Sequence, residues 1–124
     1  MNRKIKSCRK SYRAWLQAGF ALTLLFGLWV ASLPTGIDVG IQSGDKILHS
    51  ASFFLFAAWL DLCSQRSFWR FQMPILLAYG ALVEIMQAFL PWRSFSMLDL
   101  AADLAGVVLY WLLSRLLLRQ WRLA

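Results

Sequence analysis

Residues 73–90 read MPILLAYGALVEIMQAFL, an apolar run with the length and composition of a membrane-spanning helix, interrupted by Glu84 and, one turn later, Gln87. A carboxylate in hydrocarbon is costly unless it has a partner or faces a polar cavity, so by default it marks a functional site. Candidate partners flank the neighbouring apolar runs: Asp45, Lys46 and His49 before one, and Arg93, Asp99 and Asp103 around another. The pattern predicts a polar centre inside a small bundle of membrane helices.

Composition supports that reading. The chain is 60% hydrophobic and 15% charged, with seven Trp in 124 residues, and a soluble domain of this size could not bury so much apolar surface. The apolar residues fall in blocks rather than one-sided stripes, as in helices solvated by lipid. Four spans are expected: Ala14 to Leu33, Asp45 to Leu62, Met73 to Leu90 and Met97 to Leu118. At about 1.5 Å per residue each covers roughly 27 to 33 Å, enough for the hydrocarbon core. The expected organisation is an all-α, four-helix membrane domain over residues 14–118, a basic tail at 1–13 and a short basic tail at 119–124.

A net charge of +7 invites a nucleic-acid reading, but the basic residues are placed as topology signals are. Arg3, Lys4, Lys6, Arg9, Lys10 and Arg13 precede the first run, Arg66 and Arg70 join the second to the third, and Arg115, Arg119 and Arg122 close the chain. Only Lys46 and Arg93 fall on the other side. Both termini are therefore expected in the cytoplasm, with the N-terminal charges also attracted to anionic lipid and no nucleic-acid partner. A cleaved signal ending near Val30-Ala31-Ser32 is the competing reading of the first run, but that run is longer than a usual signal core and three more follow it. Trp15, Trp69 and Trp121 mark the inner interface, and Trp29 and Trp92 the outer one. Cys8 and Cys63 fall on the reducing side, so no disulfide is expected.

On this topology Asp38, Asp45, Glu84, Asp99 and Asp103 lie in the outer half, with Asp61 alone near the cytoplasm. Asp45 and His49 are one turn apart, Gly80, Glu84 and Gln87 share a face, and Asp99, Asp103 and Gly106 share another. Glu84 sits about 9 Å below its outer helix end, and His49 about 6 Å below its own helix start. The faces are thus expected to form one shallow, outward-facing pocket from Asp45, Lys46, His49, Glu84, Gln87, Arg93, Asp99 and Asp103.

Plainer roles compete. Ser96 and Asp99 have capping-box spacing, Asp45 suits a helix N-terminus, Lys46 can snorkel or pair with Asp45, and His49 can be a hydrogen-bonding strut. Gly80, Ala102 and Gly106 read mainly as small residues that allow close helix contact. For Glu84 the alternative is a buried ion pair with Arg93 that staples the bundle.

The series Asp45-Lys46-x-x-His49, Glu84-x-x-Gln87, Pro91-x-Arg93 followed by Asp99, and Asp103-x-x-Gly106 resembles the signature of the VanZ-like membrane proteins, over about Asp45 to Leu113. One departure bears on charge: many members carry Asn where this chain has Asp103, which makes the pocket here more acidic. The family takes its name from a protein associated with resistance to teicoplanin, a glycopeptide carrying a lipid tail. The resemblance implies an envelope role, and the topology a bacterial inner membrane.

Three classes of function stay open. In a binding module, Lys46 and Arg93 meet the phosphate of an envelope lipid or lipid-linked sugar while the acids and Gln87 accept sugar or amine hydrogens. In an enzyme, His49 or Glu84 acts as general base and Arg93 stabilises developing negative charge. In a proton-linked transporter or accessory subunit, His49 and Glu84 form the relay. No cofactor is expected and no established metal motif is present; Asp99 and Asp103, one turn apart, are the nearest approach to an oxygen-ligand pair. A homodimer or a membrane-protein partner fits the small size of the unit.

Overall fold

The computed structural model describes the backbone of residues 2–34, 44–64 and 66–123, and side chains within 10–34, 46–64 and 66–117. Asp38 and the side chains of Cys8, Asp45 and Trp121 lie outside the described residues. The order is α1 (Asn2–Ser32), α2 (Gly44–Cys63), a π-helical turn (Phe68–Gln72) running directly into α3 (Met73–Ala88), and α4 (Met97–Leu123). No strand occurs among the described residues. Four helices are long and apolar enough to cross a membrane, over Lys10–Ser32, Lys46–Cys63, Phe68–Ala88 and Met97–Leu117.

The expected spans are present, with shifted ends. Helix α1 begins within the basic segment, at Asn2, ahead of the apolar span, consistent with Lys and Arg being good helix formers that extend a helix already nucleated in an apolar run. The same continuation carries α4 beyond Leu118 to Leu123. Helix α3 tolerates Pro74 because it occupies the first turn, where its missing N–H has no intrahelical partner to lose.

Contact register fixes the directions. Leu24 meets Tyr79 and Ala31 meets Gln87, so α1 and α3 are parallel. Lys46 meets Asp99, His49 meets Asp103 and Phe54 meets Tyr110, so α2 and α4 are parallel. Leu16 meets Trp59, and Glu84 meets Ser96, so neighbouring helices across these two groups are antiparallel. The start of α1 and the end of α4 therefore lie at the same end of the bundle.

Helix α3 is the central one: 44% of its span is buried, against 6% for α1. An aromatic cluster joins α2 to α3, with Phe53 and Tyr79 each edge-on to Phe56 at 5.5 and 5.8 Å between ring centroids. Leu22, Phe26, Leu55, Leu82 and Leu109 stay exposed on the outside of the four helices, a surface suited to hydrocarbon. Because α1 buries little, it is held by polar side chains that reach its carbonyls: Trp59 Nε1–H donates to Leu16 at 3.0 Å and the Tyr79 hydroxyl to Leu24 at 2.6 Å.

Helices α2 and α4 are in close backbone contact at Gly106, where a Cβ would run into the Ser50 carbonyl. Small residues serve this purpose where lipid supplies no hydrophobic drive between helices. Gly106→Ala must push α2 from α4 or bend one of them, at a cost of about 1–3 kcal/mol typical of overpacking. Thermal unfolding of the purified protein is expected to show that loss, with little loss for Ala105→Ser on the exposed face of the same turn.

Candidate functional site

The candidate residues divide into two tiers at the end of the bundle where α2 and α4 begin. The upper tier lines a recess of about 560 Å³, with Lys46, Gln87, Arg93, Ser94, Ser96 and Asp99 on its walls. The lower tier, His49, Glu84 and Asp103, is one helical turn further in. Glu84 and Asp103 are buried, and one ligating atom from each of the three residues lies within 4.8 Å of the others. The single shallow pocket expected from spacing is therefore a rim above a buried polar floor.

Glu84 has a structural partner that spacing did not reveal. The connection after α3 turns back so that Ser96 N–H donates to Glu84 Oε2 at 2.9 Å. Glu84 thus satisfies an orphan donor at the start of α4 and places its charge at the positive end of that helix dipole. The other oxygen, Oε1, is buried with no hydrogen-bond partner among the described residues.

Half of the expected capping box forms. Asp99 N–H donates to Ser96 Oγ at 3.3 Å, so Ser96 caps α4. The reciprocal half does not form, because the Ser96 N–H belongs to Glu84. Asp99 instead faces Lys46, with Nζ 3.4 Å from Oδ1.

His49 Nδ1 lies 2.8 Å from Asp103 Oδ1, joining α2 to α4. Asp103 Oδ2 is buried with no hydrogen-bond partner among the described residues and points toward Gly80, where an added Cβ would come within 3.0 Å of it. Gly80 therefore makes room for a carboxylate as well as for close helix contact.

Arg93 and Gln87 take up a task that the sequence did not suggest. Gln87 Nε2–H donates to the Ala31 carbonyl at 3.1 Å, Trp92 Nε1–H to Ser32 at 3.0 Å and an Arg93 Nη–H to Leu33 at 3.5 Å. Together they satisfy carbonyls left over at the end of α1, and Arg93 sits at its negative pole. The Arg93–Glu84 ion pair is absent among the described residues, since Glu84 binds the backbone and Arg93 has turned to α1. Arg93 Nε is buried and has no hydrogen-bond partner among the described residues.

A second polar cluster at the opposite end was missed. Asp61 accepts from Gln72 Nε2 at 3.1 Å and from the Tyr110 hydroxyl at 2.7 Å, and Gln72 also donates to the Arg66 carbonyl at 3.0 Å. Gln72 lies in the π-helical turn, whose altered period turns it inward, and a regular helical projection places it poorly. The bonds tie α2, the turn and α4 together, a structural role.

The fold and these clusters define a multi-pass helical protein with a polar site at one end of its membrane bundle. Compared with protein-family models, curated proteins and solved structures, the chain matches none.

Proposed function

We propose that the chain is a VanZ-like protein of the bacterial inner membrane, with both termini cytoplasmic and the recess facing outward. In this reading the recess binds the head group of an envelope lipid or lipid-linked saccharide and serves envelope maintenance or tolerance of glycopeptide-type antibiotics. The observation that carries the binding reading is the recess itself. Lys46 and Arg93 stand on its wall beside Asp99 and Gln87, and Arg93 retains a buried Nε with no partner among the described residues. Its volume of about 560 Å³ falls within the range of small-molecule sites. The recess opens at a helix end, which in this reading puts it at the depth of lipid head groups.

A phosphate would meet Lys46 and the Arg93 Nε–H, with the N-terminal turn of α4 adding favourable dipole. Asp99 and Gln87 would accept and donate to sugar hydroxyls or an amine. The catalytic reading has a narrower base: His49 and Glu84 are in the floor, and Glu84 is already engaged by Ser96.

Native mass spectrometry of the full chain, gently extracted from its own membrane, tests the proposal. A co-purifying phospholipid or polyprenyl-linked sugar, retained by the wild type and lost from Arg93→Ala, is expected. A stoichiometric protein partner with no bound lipid would overturn it in favour of the accessory role.

A further inference from the structure

The floor of the recess carries more negative charge than its protein partners balance. Glu84 and Asp103 are 0% and 1% exposed. Each keeps one buried oxygen, Glu84 Oε1 and Asp103 Oδ2, with no hydrogen-bond partner among the described residues. Of the nearby cations, Lys46 is paired with Asp99 at 3.4 Å and Arg93 reaches toward the end of α1. His49 faces the two acids, 2.8 Å from Asp103. Two carboxylates in a buried setting are unfavourable together unless a proton or a cation lies between them.

We infer that His49, Glu84 and Asp103 form a binding site for a divalent transition-metal ion of the zinc class. One ligating atom from each residue lies within 4.8 Å of the other two, and the three residues come from three different helices, α2, α3 and α4. Bonds of about 2.0–2.2 Å to zinc set ligand atoms roughly 3.3 Å apart, so small side-chain rotations close the observed spread. An imidazole nitrogen beside two carboxylates favours zinc over magnesium or calcium, which take oxygen ligands. Three protein ligands leave a fourth position for water or, if the lipid reading holds, for a phosphate oxygen from the recess. Only that last clause rests on the proposed head-group function; the ion site does not.

The test uses the full chain in detergent, stripped of lipid and of metal by a chelator. It is then exposed to zinc or magnesium, desalted and analysed for metal content. One zinc per chain and little magnesium are expected. His49→Gln, Glu84→Gln and Asp103→Asn are each expected to weaken zinc binding by about 100-fold or more, since losing even an outer-shell partner costs about 10- to 100-fold. Asp61→Asn, which removes an acid at the other end of the bundle, is expected to bind as the wild type does. Cobalt(II) is expected to give the visible spectrum of a low-coordinate site in the wild type and to lose it in His49→Gln. Substoichiometric zinc in the wild type, or undiminished zinc in His49→Gln and Glu84→Gln, overturns the site. The wild-type stoichiometry and cobalt spectrum decide the matter even if a variant fails to fold. Lipid retention measured on metal-free protein is a separate readout, so failure of the ion site and failure of the head-group reading are distinguishable.

Discussion

Glu84→Gln is expected to accumulate in the membrane at the wild-type level, whereas Glu84→Ala is expected to lose about 3 kcal/mol of stability. The difference follows from the bond between Ser96 N–H and Glu84 Oε2, at 2.9 Å. A Gln amide oxygen can accept the same bond, and its NH₂ group can donate toward the partnerless Asp103 Oδ2 across the floor. Alanine accepts nothing. It leaves a buried N–H at the start of α4 unsatisfied, a penalty of about 1–3 kcal/mol, and opens a void where a buried side chain stood. Thermal unfolding in detergent, with membrane abundance as a second readout, checks the contrast. Equal stability of both variants and the wild type would remove the capping role from Glu84. A Gln variant as unstable as the Ala variant would mean that the charge itself, not the hydrogen bond, holds the bundle.

The four spans were legible because hydropathy is a local property: no partner is needed to read residues 73–90 or 97–117 as apolar enough for lipid. The inward faces were legible for a similar reason. His49, Glu84 and Asp103 are set by helical period alone, and the three do converge. Partner choice was not legible, because it depends on how the connections fold. Spacing offered Arg93 to Glu84, but residues between α3 and α4 turn so that Ser96 meets Glu84 while Arg93 reaches Leu33, a residue far away in sequence. Spacing likewise offered Asp99 to Ser96, yet one donor cannot serve two acceptors equally, and the buried carboxylate has it. Gln72 escaped notice because a π-helical turn breaks the period on which facial assignment rests. The basic residues at 1–13 mark a membrane boundary but do not end a helix, so the start of α1 at Asn2 was not legible from charge.

Lys46 gives the sharpest separation of a binding residue from a structural one. Its ammonium is 3.4 Å from Asp99 Oδ1, and the two side chains are 42% and 10% exposed. Lys46→Ala removes a cation from the recess and also strands a mostly buried carboxylate, so the single variant is expected to lose both lipid and stability. Breaking a fully buried pair costs about 3–5 kcal/mol; with Lys46 this exposed, solvent screening reduces the expected loss to about 1 kcal/mol. Asp99→Asn relieves the stranded charge, and its amide side chain remains compatible with the polar recess. The double variant Lys46→Ala/Asp99→Asn is therefore expected to recover thermal stability. On the proposed head-group function its lipid retention should not recover, because the phosphate would still lack a charge-assisted partner worth about 1.5–3 kcal/mol, or roughly 10- to 150-fold in affinity. Both quantities can be measured on the same preparation, by thermal unfolding and by native mass spectrometry with an anionic phospholipid. If the double variant regains lipid together with stability, Lys46 serves only to neutralise Asp99, and phosphate recognition falls to Arg93 alone.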